Sequence, residues 1–388
     1  MLRPTARRRP ALRKVPGAGV NTPIIPDLIA AGMRTMELVN TAVRRVLAFN
    51  GAVRLTKHLL PADRATILTL HRFTDRREER PGIESTELAA SLAFLRSTGF
   101  KFTSLKSVIS RVRNREPMEK HTVCFTVDDG YADFMHIGLP VFEKFDCPVT
   151  VFLITGFTSG AIWPWWDQVD YVFRSTCRVS FAMNVDNHVA SGAWGDPATR
   201  MNVAGAFMEK LKRVSEASKQ RAIEELAEQL EVGIPAQCPD GYRALTWGDV
   251  DACSRRGVTF APHTVTHPIL SQVTDAQAEY EISGSWRQLV ERTSAAVPIL
   301  AYPNGDTASF GEREEKLARA AGLEAAVTTE GRQVSRRGDR GAYRIPRHDY
   351  RAPADLKSLV LGIEDAKRRA RKVAARYTKA KRLMKWPK

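Results

Sequence analysis

From Ile67 onward the chain sets short, unbroken apolar runs against longer stretches of helical period. Ile67–Leu70, Val123–Val127, Val149–Ile154, Val258–Ala261, Ile299–Tyr302 and Ala325–Thr328 read as buried strands, with helices such as Thr86–Ser97 and Ala276–Glu291 between them. A strand with one wet face alternates apolar and polar residues. Continuous apolar strands separated by helices predict an α/β fold, a parallel sheet or β/α barrel covered on both faces. Residues 156–245 break this rhythm. The stretch opens around Trp163-Pro164-Trp165-Trp166 and carries a charged helical run over about 204–232, so it is expected to be an insertion over one rim. The Trp cluster is expected either to stack a sugar ring, to meet lipid or to form a small core under the insertion. Upstream, Ile29, Met33, Met36, Val39, Val43, Val46 and Leu47 recur at helical spacing, which suits a stripe packed on a domain or laid on a membrane. The chain therefore divides into a basic disordered segment (1–26), an amphipathic helical lead-in (27–63), a main domain (64–352) and a basic helical tail (353–388).

Composition changes this picture mainly through charge. The 388 residues are 43% hydrophobic, enough for a core, and carry a net charge of +16. Residues 1–14 hold six Arg/Lys and no acid, and residues 364–388 hold eleven against two acids, which leaves the body near neutrality. A nearly neutral body argues against specific nucleic-acid binding, whereas a basic tail can rest on an anionic membrane surface. In the tail Ala366, Ala370, Val373, Tyr377, Ala380 and Met384 make a weak stripe among cations. The five cysteines are scattered without a CxxC, and Cys124 and Cys147 fall in or beside apolar strands, as buried thiols in a reducing compartment would. Without an 18-residue apolar run, the expected location is cytoplasmic, at the inner membrane surface.

The candidate chemistry lies where strands end: His71, Asp128–Asp129, His263–His267 and Pro303–Asp306. Carboxyl ends of parallel strands form the active-site face of β/α folds. Asp128-Asp129-Gly130 alone suits a solvated turn as well as a site. His263 and His267, four apart between Pro262 and Pro268, can face one way on a single helical turn. Asp129 with the two histidines makes a two-His, one-carboxylate set that suits zinc, and also iron or cobalt.

These residues also carry a family resemblance. Thr126–Tyr131 resembles the TFDDG motif of polysaccharide deacetylases with a NodB-homology domain (carbohydrate esterase family four). His263–His267 resembles their H-(S/T)-x-x-H motif, and Ala301-Tyr302-Pro303-Asn304-Gly305 their third motif. Leu245-Thr246-Trp247, Glu281–Ser285, Val327-Thr328-Thr329 and Ile345-Pro346-Arg347 also fit, in family order over about 64–350. The resemblance implies a distorted (β/α) barrel and metal-dependent removal of N-acetyl groups from a carbohydrate, a glycan or lipid-linked amino sugar. It implies Asp129, His263 and His267 as metal ligands, with zinc the leading ion, and Asp128 as general base. It implies the backbone N–H of Tyr302 as oxyanion donor, with Trp247 lining the acetyl pocket and Pro303 beside the substrate. The third motif here lacks the arginine that orients the base in many members, and Arg347 is the candidate substitute. The late Leu-x-His motif of many members is also displaced. His71, in Leu70-His71-Arg72, resembles the early acid of poly-N-acetylglucosamine deacetylases and is preferred to His348. Hydrolysis of another non-peptide C–N bond is the alternative chemistry. A non-catalytic sugar-binding descendant would have lost a ligand or the base, and all four residues are present.

Overall fold

The computed structural model describes Val53 and residues 63–75, 81–186, 188–335, 341–363 and 365. The chain divides into Met1–Ala52 and Val53–Lys388, and every described residue belongs to the second unit. The readings for 1–26, for most of 27–63 and for the tail beyond Asp365 lie outside the described residues.

Eight strands form the staves of a distorted (β/α) barrel: β1 (Ala65–Leu70), β2 (Thr122–Val127), β3 (Val149–Leu153), β4 (Thr259–Pro262), β5 (Ile299–Ala301), β6 (Ala325–Thr328), β7 (Ile345–Pro346) and β8 (His348–Asp349). Every pairing among them is parallel. β1 lies against β2 with Ala65 opposite Thr122, β2 against β3 with Phe125 opposite Val149, and β3 against β4 with Thr150 opposite Thr259. A second sheet runs β5, β6, β7, with Ile299 opposite Ala325 and Val327 opposite Ile345. The sheets meet at two seams. Phe260 of β4 exchanges hydrogen bonds with Ala295 and Val297, just ahead of β5. At the other seam the chain itself steps from β7 to β8, which pairs with β1 through Leu68 and His348.

The unbroken apolar strands follow from burial on both faces. One face fills the barrel with Ala65, Ile67, Cys124, Phe152, Ala261, Ile299, Ala301, Ala325, Val327 and Ile345, onto which helix Leu105–Arg113 packs. The other face meets the surrounding helices. Leu300, Tyr302 and Ala326 pack with Ala278, Ile282 and Ala318 from helices Asp275–Arg292 and Glu312–Ala320. The apolar side chains of helix Pro353–Val360, placed in the tail by the sequence reading, are buried: Leu356, Leu359 and Val360.

The insertion has its own core, built from helices Trp165–Ser175, Pro197–Leu211 and Glu216–Gln229 and an antiparallel hairpin, Ser180–Val185 with His188–Ala193. The helical run expected over 204–232 is two helices. The first stops at Leu211, and Ser215 caps the second, its side chain accepting from the Ser218 N–H. All five cysteines are free, with Cys124, Cys147 and Cys253 buried. No helix among the described residues is long and apolar enough to cross a membrane.

Candidate active site

Strand side chains alternate with a period of two. Carried past the ends of the strands, that period delivers the site. The inward series Ala65, Ile67, Thr69 continues to His71, and Cys124, Thr126 to Asp128. Ala261 is followed inward by His263, and Ile345 by Arg347. The apolar filling of the barrel thus gives way at its carboxyl end to a polar layer.

Asp128 and Arg347 form the centre of that layer. The Arg347 guanidinium donates from both terminal nitrogens to both carboxylate oxygens of Asp128, each at 2.7 Å. It also donates to Thr126 Oγ1 (3.0 Å), whose hydroxyl meets Thr69 Oγ1 at 2.7 Å. Both charged partners are buried, Arg347 at 0% exposure. Burial alone would raise the Asp128 carboxyl, but the Arg347 charge, helped by His263, outweighs it and holds Asp128 well below the usual carboxylate range.

Asp129 leaves the strand at φ +70, followed by Gly130 at φ +78, where a Cβ would come within 2.5 Å of the Leu153 side chain. This left-handed pair turns the Asp129 carboxylate toward the histidines. The His263 Nε2 to Asp129 Oδ1 distance is 3.7 Å, and that from His267 Nε2 is 4.0 Å. The His rings lie 4.7 Å apart at 80°. The three donors fall within 4.8 Å of one another. Three ligands about 2.1 Å from one tetrahedral ion would sit about 3.4 Å apart, so the set is slightly open yet of the right size. Its chemistry fits a cation as well. His263 Nδ1 faces the Ala301 carbonyl at 2.8 Å, which leaves Nε2 for a ligand role. Burial holds His267 well below its ordinary value and therefore neutral, and burial pushes Asp129 up, a penalty that a bound cation would offset.

The histidine segment is not the helical turn expected from its spacing. Thr264 and His267 take φ of +66 and +61, so the chain loops. Buried Glu281, on helix Asp275–Arg292, holds the loop from behind. Its carboxylate accepts from the N–H groups of Val265 and Thr266 (2.8 Å each) and from Thr266 Oγ1 (2.6 Å). Gly156 allows the facing segment to approach, since a Cβ there would sit 2.6 Å from the Val265 carbonyl oxygen.

The remaining predicted residues divide. His71 lines the cavity with Asp128, Asp129, His263 and His267. His348 is off the inward register, opposite Leu68, and its Nε2 faces Asp365 at 3.7 Å. Tyr302 lines the cavity, but its N–H is engaged, donating to the Val327 carbonyl (3.3 Å) as the last rung between β5 and β6, while its ring stacks on Phe310 at 4.0 Å. Pro303 is buried, and Asn304 next to it lines the cavity instead. Trp247 also departs from its expected place. It starts helix Trp247–Ser254, donates from its indole to Ser159 Oγ (3.1 Å), and lines a separate cavity with Trp163. Trp165 and Trp166 line the cavity of Asp129, His263 and His267 in its place.

Comparison with known proteins agrees with the motifs. Residues 212–326 match the polysaccharide deacetylase family, a stretch that spans the histidine segment and the 301–305 turn but not Asp128 and Asp129. A Streptococcus pyogenes deacetylase, PplD, solved in complex with acetate, has a similar fold, with a TM-score of 0.51 at 18% identity over 77% of this chain and 99% of that one. IcaB from Ammonifex degensii aligns at 14% identity over 78% and 97%, with a TM-score of 0.48. The BpsB deacetylase domain of Bordetella bronchiseptica aligns at 14% over 74% and 96%, with a TM-score of 0.45. A search of curated proteins finds no match.

Proposed function

We propose, on the similarity of residues 212–326 to the polysaccharide deacetylase family, metal-dependent hydrolysis of the N-acetyl group of an amino sugar. The observation that carries this reading is the juxtaposition of an Asp129–His263–His267 donor set with an arginine-held Asp128 in one cavity. A divalent ion in that set, zinc by the donor types, would acidify a water and polarise the acetamide carbonyl.

The protein's own groups supply the rest. Asp128 accepts the proton of the attacking water, since each carboxylate oxygen keeps a lone pair beyond its Arg347 bond. Arg347 keeps Asp128 ionised and fixes its plane. His71, on the same wall, donates a proton to the nitrogen as the C–N bond breaks. The products are acetate and a free amino sugar. The family match and the motif set favour a carbohydrate amide over other C–N substrates. The anionic membrane as partner rests on the basic tail, most of which lies outside the described residues. Vesicle co-sedimentation of the full chain and a 1–363 truncation at low and high salt tests that part.

Acetate release from N-acetylated glucosamine oligomers, with metal content measured in parallel, tests the function. The wild type should hold about one ion per chain and release acetate, and chelation or His263→Ala should remove both. Full activity in a metal-free His263→Ala protein would refute it.

A further inference from the structure

The insertion does more than cover a rim. Trp165, Trp166, Lys212 and Lys219 share with the metal-ligand residues one cavity of about 560 Å³, within the size range of small-molecule sites.

The two Trp rings form a corner, 5.7 Å apart at 84°. Trp166 is fixed by a chain of hydrogen bonds that runs inward: its indole N–H donates to Tyr131 Oη (2.8 Å), and that hydroxyl donates to buried Asp167 Oδ2 (2.6 Å). Its ring stands 4.8 Å from that of His267. A rigid aromatic corner beside the ligands suits the C–H face of a pyranose.

Lys219 is the less expected wall. It is 3% exposed, with Nζ 4.9 Å from the centre of the Trp165 ring. Its carboxylate partner is Glu216 at 2.7 Å, one helical turn away and half exposed. A buried ammonium is expensive to desolvate, and an apolar side chain of similar length would serve packing as well or better. Paired with one half-exposed carboxylate and set against the Trp165 ring, that charge at a cavity wall also suits a ligand of opposite sign. Lys212 lines the same cavity beside Glu209, with which its ammonium pairs at 2.5 Å on the exposed side, so an anionic ligand there would compete with or share that pairing. The Lys212 carbonyl accepts from Gln272 Nε2 (3.2 Å), which ties that end of the insertion to the segment after His267.

We propose that Lys219 and Lys212, with the Trp165–Trp166 corner, form a subsite for an anionic group carried on or beside the amino sugar. The substrate class is then an N-acetylated sugar bearing a phosphate or a neighbouring carboxylate. The inference rests on the deacetylase reading and narrows it. An ammonium bonded to an anion discriminates by about tenfold or more against a neutral analogue.

The test uses the zinc-loaded full chain with four probes: N-acetylglucosamine, its 1-phosphate, its uridine diphosphate ester, and a disaccharide of N-acetylglucosamine with a uronate. Tryptophan fluorescence reads Kd, and acetate release reads kcat and KM. At least one anionic probe should bind about tenfold tighter than the neutral sugar. Lys219→Met should erase that preference and Lys219→Arg retain it. Lys212→Met, with a more exposed side chain, should lower the preference and keeps the test open should Lys219→Met fail to fold. Preference for the two phosphates alone identifies a phosphate, and for the uronate alone a carboxylate. Equal affinity for all four probes, or an unaltered preference in every folded Met variant, overturns the subsite. Failure to release acetate from any probe while zinc is bound overturns the deacetylase reading instead, and leaves the binding comparison readable.

Discussion

Arg347 and Asp128 hold each other's charge inside the barrel, so neither tolerates the loss of the other. Arg347→Met should destabilise the fold by about 3–5 kcal/mol, read from the denaturant midpoint, because it strands a buried carboxylate. Adding Asp128→Asn should restore part of that loss, as a coupled pair requires. Asp128→Asn alone should keep its metal while kcat falls roughly 10²–10⁴-fold. For the proposed proton donor, His71→Gln should lower kcat by roughly 10²–10⁴-fold and His348→Gln should leave it near the wild-type value. Asp167 gives a stability prediction. Burial pushes its carboxyl to about 7, against a hydrogen bond from Tyr131 that favours ionisation. A group raised in the folded state binds its proton more tightly there, so stability falls as pH rises from about 4 to about 7 and then levels. The slope within that window is at most about 1.4 kcal/mol for each step of one in pH. Asp167→Asn should flatten that part of the stability curve; an unchanged slope over this range would exclude the assignment. At this scale much was legible in the sequence. His71 and Arg347 were expected from the motifs, and the period of two that places both inward and His348 off the register becomes visible only with the strands in place. Asp129 was legible only through its motif, since a left-handed residue leaves the strand period.

Helix Asp275–Arg292 contributes to the site without reaching it, because Glu281 gathers the turn that carries His263 and His267. Glu281→Ala should lower metal affinity by about 10–100-fold, the usual effect of removing a group that orients ligands, with the helix content unchanged by circular dichroism. The six strands and two helices named from the pattern were placed to within a residue or two, since burial on both faces dictates continuous apolar runs, whereas the two-residue strands β7 and β8 were too short to show a run. The path of the histidine turn was not. Spacing of four suggests a helix, but the flanking Pro262 and Pro268 and the left-handed Thr264 and His267 give a loop with the same ring separation. The hairpin of the insertion went unread although Ser180–Val185 alternates exposed and buried residues, and Ser215 was a visible helix cap within an apparently single run.

Across the whole molecule, the barrel and its chemical rim follow from local patterns repeated in order, whereas the insertion's wall depends on meetings between distant residues. Trp166 against His267 and Lys212 against Gln272 join segments separated by 101 and 60 positions, and no local period announces such pairs. The seam between β7 and β8 has a further consequence. Arg347 occupies the single residue between strands that belong to different sheets, so the step that completes the ring also delivers the counter-charge of Asp128. During synthesis that residue leaves the ribosome more than two hundred positions after Asp128. A nascent chain, however well its earlier strands have formed, holds an uncompensated acid and an unfinished site until its last stave arrives, so chemical competence and completion of the domain become one event.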